Sequence, residues 1–428
     1  MNYAEFLNRK KRLFHGDGLE SDALPQQLYP FQLALVKWAL RKGRAAIFAD
    51  CGLGKSFMQI AWAHALNKRT LFLAPLCVAE QTVGEAAKLG IEMAYARNRS
   101  ESTTKLTITN YERLDDFDAD DFEAVVLDES SILKAFDGKT RTKLIDTFKN
   151  TRYRLCCTAT PSPNDIAELA NHAEFLGLMT RAEFLATWFV HDDAGWRMKR
   201  HAIEPFYRWL ASWAIAMRKP SDLGYDDNGF TLPPLEIYEH IVSVDGPTST
   251  LFPELGLKGI GGRLEARRDS LQARIDAICN LIPEYGQQWL LWCGLNPEAD
   301  ALAETLPGVV NVQGSDSYAE KRGAIEGFLS GRVRHLATKL RIAGYGMNFQ
   351  HCHHMAFVGI GDSFEQYYQG IRRCWRFGQQ KTVEAHIIVG DAERAVVENV
   401  RRKEAAYREM VDLMLEHVSG FEREELCA

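Results

Sequence analysis

The most informative segment of this chain is FADCGLGKSF, residues 48–57. It ends in Gly54, Lys55 and Ser56, as the phosphate-binding pattern GxxxxGK[ST] does, but Ala49 stands where that pattern begins with glycine. The mismatch leaves three interpretations: an impaired phosphate loop, a chance match, or a related loop with a different first residue. The rest of the chain has to decide among them.

The flanks of this stretch favour a working anion site. AAIFA, residues 45–49, reads as a buried strand, and a helix is predicted to begin at Lys55. A glycine turn between a strand and a helix points backbone N–H groups at an anion, and the helix dipole adds to the attraction. Gly52 and Gly54 permit close approach. Lys55 would reach the β- and γ-phosphates, and the Ser56 hydroxyl would bind Mg²⁺.

Further apolar runs alternate with helical stretches. The predicted strands are TLFLA (70–74), KLTIT (105–109), EAVVL (123–127) and YRLCC (153–157). This alternation predicts a parallel sheet, whose ligands bind beyond the carboxyl ends of the strands.

An acidic pair follows one of these strands in VVLDES, residues 125–130. Its position predicts that the pair lies at the same sheet edge as the glycine loop. Asp128 is suited to hold Mg²⁺, and Glu129 to orient or deprotonate an attacking water. The alternative is an acidic pair that caps a helix.

The second half of the chain predicts another α/β lobe. Residues 165–220 are predicted to be helical, with aromatic side chains that fill a core, and a new strand–helix alternation begins near residue 285. A helical segment at 391–417 is expected to dock on this second lobe. The predicted divisions are an N-terminal extension (1–27), a first lobe (28–164), a helical insertion and linker (165–235) and a second lobe with a C-terminal helix (236–428).

A third chemical element is QGIRRCWRFGQ, residues 369–379. Arg373 and Arg376 are three positions apart, which would place them on one face of a helix. Two guanidinium groups from a second lobe could stabilise charge on a γ-phosphate, as arginine fingers do. The alternative is a basic helix face toward solvent or DNA.

Taken together, these motifs resemble those of superfamily 2 helicase-type motors, and among them the Swi/Snf-type DNA translocases. The first motif of that superfamily commonly reads AxxGxGK[ST], so Ala49 matches it. The other matching stretches are LYPFQ (28–32), LAPLCV (73–78), TITNYERL (107–114), TATPSPN (158–164), AMRKPSDL with TLPP (216–223 and 231–234), ATKLRIAGYGMNF (337–349) and QGIRRCWRFGQ (369–379).

The resemblance implies a fold and further site residues. The fold class would be α/β, with two tandem RecA-like parallel-sheet lobes and a helical insertion between them. Gln32 would contact the adenine of ATP, and Leu53, Gly346 and Gln369 would complete the nucleotide contacts. Closure of the two lobes would bring the arginine pair to the ATP site.

Two positions depart from the family pattern. Ser131 stands where a histidine often follows the acidic pair, so coupling of ATP state to the other motifs would run differently. Trp375 replaces a frequent histidine in the last motif.

The composition indicates which partners and which compartment the chain is suited to. The formal net charge is −6, so the basic residues form local groups rather than a general coat. The nine cysteines contain no CxxC pair, which favours a reducing cytosol, and HCHH at 351–354 has no second cluster with zinc spacing. We find no apolar run of membrane-spanning length and no secretory signal.

The sequence therefore predicts an ATPase that uses ATP and Mg²⁺ and moves along duplex DNA without reading its sequence. A strand-separating DNA or RNA helicase is the first alternative. A nucleotide-gated nucleic-acid-binding module with negligible hydrolysis is an alternative of another class, and a metabolic P-loop kinase is a third. The biological process and the protein partners are not predicted.

Overall fold

The computed structural model describes residues 13–134, 138–192, 195–243, 267–283, 286–343 and 347–427, apart from the side chains at 77, 318, 343 and 418–427. The chain forms two compact units. The first comprises residues 1–230 and 405–428, and the second comprises residues 231–404.

A seven-stranded sheet forms the centre of the first unit. Its strands are β1 (Arg44–Ala49), β2 (Thr70–Ala74), β3 (Met93–Tyr95), β4 (Leu106–Asn110), β5 (Ala124–Asp128), β6 (Tyr153–Cys157) and β9 (Ala214–Met217). The helices are α1 (Pro30–Lys42), α2 (Lys55–Leu66), α3 (Leu76–Lys88), α4 (Lys139–Phe148), α5 (Leu169–Phe175), α6 (Arg181–Trp188) and α7 (Ile203–Ala211). The strand order is β3-β4-β2-β5-β6-β1-β9, and every pairing is parallel.

The second unit is built on a six-stranded parallel sheet. Its strands are β10 (Leu235–Val242), β11 (Trp289–Trp292), β12 (Val309–Val312), β13 (His335–Thr338), β14 (His354–Phe357) and β15 (Val383–Gly390). The helices are α8 (Leu271–Leu281), α9 (Asn296–Thr305), α10 (Tyr318–Leu329), α11 (Leu340–Ala343) and α12 (Phe364–Cys374), followed by α13 (Arg394–Cys427), which continues into the first unit. The strand order is β10-β15-β14-β11-β13-β12.

Burial explains why the strands read as continuous apolar runs. Every residue of β2, β4, β5 and β6 is buried, because helices cover both faces of a parallel sheet. The predicted fold class, two tandem parallel-sheet lobes, is confirmed. None of the described helices is both long and apolar enough to cross a membrane.

The segment predicted as a helical insertion also contains strands. It holds α5 to α7, but β7 (Phe189–Asp192) and β8 (Gly195–Met198) form an antiparallel hairpin, and β9 pairs with β1 through Ala46 and Ala214. Helices therefore form only part of the predicted insertion. The four residues AIAM are too few to show a period of two, so only pairing with β1 reveals the strand.

The aromatic residues of this segment fill a core, as predicted. Phe206 and Trp213 are fully buried and Trp188 is 1% exposed. The rings of Trp188 and Phe206 lie 5.7 Å apart, and those of Trp209 and Trp213 lie 5.3 Å apart. Side chains buried in this way stabilise the first unit and are not open to a nucleic-acid base.

The C-terminal helix α13 does not dock on the second unit alone, contrary to the prediction from the sequence. From Ala405 onward it belongs to the first unit and not to the second. The Tyr407 hydroxyl donates to the carbonyl oxygen of Ala159 at 2.7 Å, and Arg218 Nη2 lies 2.7 Å from Asp412 Oδ1. The end of the chain thus completes the unit that the beginning of the chain starts.

Candidate nucleotide site

The loop between β1 and α2 depends on glycine. Gly52 and Gly54 have φ of 91° and 77°, in the left-handed region that side chains other than glycine rarely adopt. A Cβ atom at Gly54 would lie 2.4 Å from Gln32 Nε2, closer than atoms approach in proteins. Backbone freedom and close packing therefore both require glycine at position 54.

Lys55 is the first residue of α2, and its ammonium lies over the loop. Its Nζ donates to the carbonyl oxygens of Ala49 at 2.9 Å and Asp50 at 3.3 Å. Ser56 follows it in the first turn and is half-buried. The cation and the hydroxyl predicted for phosphate and Mg²⁺ are thus adjacent at the N-terminus of one helix.

Gln32 joins α1 to the loop. Its side chain is 4% exposed, Nε2 donates to the carbonyl oxygen of Leu53 at 2.9 Å, and Oε1 accepts from the backbone N–H of Tyr29 at 3.0 Å. Both ends of the amide are therefore engaged within the first unit. The adenine contact of Gln32 stays a prediction, as does a nucleotide contact of Leu53.

Asp128 is the last residue of β5, at the carboxyl edge of the sheet. Gln59 of α2 donates from Nε2 to Asp128 Oδ1 at 2.7 Å, and the Tyr111 hydroxyl donates to the Asp128 carbonyl oxygen at 2.6 Å. Burial raises the pKa of Asp128, while the Gln59 hydrogen bond and the charge of Lys55 lower it. Gln59 was not predicted from the sequence, because nothing in the helix KSFMQIAWAHAL marks it as a partner of Asp128.

Glu129 has a left-handed backbone, with φ of 52°. A residue other than glycine in this region carries strain of about 1–2 kcal/mol. The Glu129 side chain accepts a hydrogen bond from Thr158 Oγ1 at 3.3 Å. Thr158 follows β6, so the TATP stretch is in direct contact with the acid that sequence analysis assigned to water activation.

The strand order explains how these residues meet. Strands β5, β6 and β1 are neighbours in the sheet, and they lead to Asp128, Thr158 and the glycine loop respectively. Residues distant in sequence therefore converge at one sheet edge, as the parallel arrangement predicts.

The two serines after the acidic pair are buried. Ser130 Oγ lies 3.1 Å from His172 Nε2 of α5, and Ser131 Oγ lies 3.5 Å from the carbonyl oxygen of Glu129. Burial lowers the pKa of His172 to about 3, so the ring is neutral at physiological pH. A histidine thus does contact this stretch, from α5 instead of position 131.

The donor set fits a magnesium nucleotide. A serine hydroxyl and a carboxylate are the hard oxygen ligands that Mg²⁺ takes, with phosphate oxygens completing its coordination. The buried Oε1 of Gln59 has no hydrogen-bond partner, so polar capacity remains next to Asp128. Lys55 and the loop N–H groups suit the phosphates.

In the second unit the arginine pair converges on one carbonyl. Arg373 is 3% exposed, and its Nη1 donates to the Met347 carbonyl oxygen at 3.2 Å, while Nη2 donates to Gln369 Oε1 at 2.5 Å. Arg376 Nη1 donates to the same Met347 oxygen at 3.3 Å. The prediction that the two arginines share one helix face was wrong, because α12 ends at Cys374 and Arg376 lies beyond it. Gly346 lies outside the described residues.

Trp375, the departure in the last motif, has its own partners. Its Nε1 donates to the carbonyl oxygen of Pro233 at 2.7 Å, and the Arg372 guanidinium lies 4.5 Å from its ring centre. Gln379 donates to the carbonyl oxygens of Gln350 at 2.8 Å and Cys352 at 3.0 Å. These bonds fix the turn that carries Arg376.

Comparison with known proteins gives one family match. Residues 273–378 match the helicase conserved C-terminal domain, and this stretch lies within the second unit. The Sulfolobus solfataricus SWI2/SNF2 ATPase core in complex with dsDNA is similar over 96% of this chain and 98% of that chain, with 17% identity and a TM-score of 0.44. No curated protein matches the sequence. The predicted resemblance to helicase-type motors is confirmed by the family match.

Proposed function

We propose that this protein is a Swi/Snf-type ATPase that couples ATP hydrolysis to movement along duplex DNA. The observation that carries the proposal is the convergence of Lys55, Asp128 and Glu129 at one sheet edge, with Thr158 bonded to Glu129. A phosphate-binding lysine, a metal carboxylate and a general base are the parts that phosphoryl transfer to water requires. The match of residues 273–378 to the helicase conserved C-terminal domain also supports this proposed function.

Each side chain has a stated role in this proposal. Gly52, Gly54 and Lys55 bind the phosphates, and Ser56 and Asp128 hold Mg²⁺. When bound, Mg²⁺ neutralises negative charge on the phosphate oxygens. Glu129 orients the attacking water and accepts its proton.

Arg373 and Arg376 stabilise the charge that develops on the γ-phosphate. Their observed acceptors include the neutral oxygen of Met347, which an anionic oxygen would replace favourably, since charge-assisted hydrogen bonds are the stronger ones. Hydrolysis would then depend on residues from both units, which allows the chemistry to be coupled to a conformational cycle.

Steady-state ATP hydrolysis with no nucleic acid, duplex DNA, single-stranded DNA and structured RNA, each at low salt, tests the proposal. We expect stimulation mainly by duplex DNA, and a steep loss of stimulation as salt rises, because contacts with phosphates release counterions. Triplex displacement would then report movement. No turnover under any condition would overturn the assignment in favour of a nucleotide-gated binder.

Strand separation is the second candidate, and one observation favours it. The hairpin of β7 and β8 carries Arg197, whose side chain is 61% exposed, and Trp196, whose ring lies 4.9 Å from that of His191. A short hairpin with basic and aromatic side chains could act as a pin between strands.

A labelled fork discriminates between the two candidates. Displacement of the labelled strand that disappears in Trp196→Ala, with ATP turnover retained, would establish the helicase. Strong ATP turnover without displacement of the labelled strand would support the duplex translocase and exclude the helicase.

A further inference from the structure

Gln59 occupies a position that an apolar side chain would fill at less cost. It lies one helical turn after Lys55 on α2, so the two side chains share a face. Its neighbours Met58, Ile60 and Ala61 are fully buried, and Gln59 itself is 0% exposed. A buried amide costs free energy unless its hydrogen bonds are made, and Gln59 Oε1 has no partner.

The hydrogen bond that Gln59 Nε2 donates goes to the carboxylate of the candidate metal ligand. That atom lies 2.7 Å from Asp128 Oδ1, and both residues are buried. A hydrogen bond to a charged group is stronger than one between neutral groups. This bond restricts rotation of the carboxyl group about the Cβ–Cγ bond and thereby fixes the direction in which it presents its oxygens.

The link also joins two parts of the site. Lys55 and Gln59 belong to α2, whereas Asp128 ends β5. Because one rigid helix carries both the phosphate lysine and the amide, the distance from the carboxylate to the phosphate loop is set by packing and not by loop conformation. Rigid placement of ligands raises affinity by reducing the cost of ordering them on binding.

We propose that Gln59 is a positioning residue for Mg²⁺: it orients the Asp128 carboxylate so that nucleotide and metal bind together. This inference rests on the proposed ATPase function. Residues that orient metal ligands typically change metal affinity by about 10–100-fold when replaced. The expected signature is weakened coupling between magnesium and nucleotide, with metal-free nucleotide binding retained.

The test compares the affinity of a fluorescent ATP analogue in Mg²⁺ with its affinity in EDTA. All variants carry Glu129→Gln to suppress hydrolysis, so binding and not activity is measured. In Gln59→Met, which keeps the volume but cannot donate, we expect the ratio of the two affinities to fall about tenfold. Tyr111→Phe is the matched control, because it removes the bond to the Asp128 carbonyl and leaves the carboxylate contact; its ratio should equal that of the parent.

The outcomes separate this inference from the function on which it rests. An unchanged ratio in Gln59→Met, beside a clear magnesium effect in the parent, would overturn the positioning role alone. Absence of nucleotide binding in the parent would overturn the proposed function and this inference together. If urea unfolding shows that Gln59→Met does not fold, Gln59→Leu replaces it. That variant cannot donate to Oδ1 either, so a ratio equal to that of the parent would again refute the role.

Discussion

The candidate residues of the two units are held in different ways. In the first unit, Asp128 and Glu129 each receive a side-chain hydrogen bond from another element, and Glu129 is strained. In the second unit, Arg373 and Arg376 donate to one neutral backbone oxygen, that of Met347. The acidic side chains are therefore held by bonds from neighbouring elements, whereas both guanidinium groups share a backbone acceptor that an anionic oxygen would replace favourably.

Replacing Arg376 should have the largest effect on turnover. In Arg376→Ala we expect ATP hydrolysis to fall by roughly 1,000-fold with nearly unchanged nucleotide affinity, because an arginine finger acts mainly in the transition state. Steady-state turnover and equilibrium binding of a fluorescent analogue measure the two quantities. Arg332→Ala, at an exposed position of the second unit, is the control. A large loss of nucleotide affinity would instead show that Arg376 binds the nucleotide before the transition state. The proposed difference between the residues of the two units would then be wrong.

Glu129→Gln should reduce turnover by about 100-fold or more, since general-base catalysis contributes roughly that factor. Nucleotide binding should persist, because the change keeps the side-chain shape and its ability to accept from Thr158. Single-turnover hydrolysis checks the chemical step. Unchanged turnover would show that another group activates the water and that the mechanism assigned to the first unit is wrong.

Lys55→Ala should weaken nucleotide binding by roughly 100-fold while the fold is kept, because it removes a charged phosphate ligand that is not part of the core. Equilibrium binding and circular dichroism report affinity and fold. Lys68→Ala provides a control, since Lys68 forms an exposed ion pair with Glu123. A circular-dichroism spectrum typical of an unfolded chain for Lys55→Ala would mean that the bonds of Lys55 to Ala49 and Asp50 are needed for folding.

We expect the second unit to lose more stability than the first when the pH falls from 7 to 5. Burial lowers the pKa of His335, His353 and His386 to about 4 in the second unit, with Arg334, His354 and His240 respectively contributing in the same direction. A histidine with a lowered folded-state pKa contributes stability above pH 6.5, and that stability is lost as pH falls from 6.5 toward 4.

Hydrogen exchange at pH 7 and pH 5, corrected for intrinsic rates, measures the protection of each unit separately. His386→Gln should reduce the acid sensitivity of the second unit. In the first unit, burial lowers the pKa of His172 to about 3, and this one group predicts a smaller loss of protection than the three histidines of the second unit. Equal loss of protection in both units would contradict this difference.

Sequence predicted the framework of both units because apolar runs and glycine turns are local signals. Strands β2 and β6 were predicted with their observed bounds, and β5 to within one residue. The loop and the acidic pair were also placed at one sheet edge, since parallel topology alone requires it.

What sequence did not predict depends on tertiary packing. Gln59 is one of several polar residues of α2, and only the packing of α2 against β5 brings it to Asp128. The left-handed conformation of Glu129 has no signature in VVLDES, because glutamate rarely adopts it. His172 lies 41 residues beyond Ser131, so its contact with the neighbouring serine could not be read from spacing.

The discontinuous first unit has a consequence for synthesis on the ribosome. Residues 405–428 are translated only after the whole of the second unit, yet Tyr407 and Met410 bond to Ala159 and Ser162 beside the TATP stretch. A nascent chain that has emerged only to residue 404 lacks these bonds. Vectorial folding therefore forms the contacts beside Thr158 last, and prematurely terminated chains carry the glycine loop without the bonds of Tyr407 and Met410.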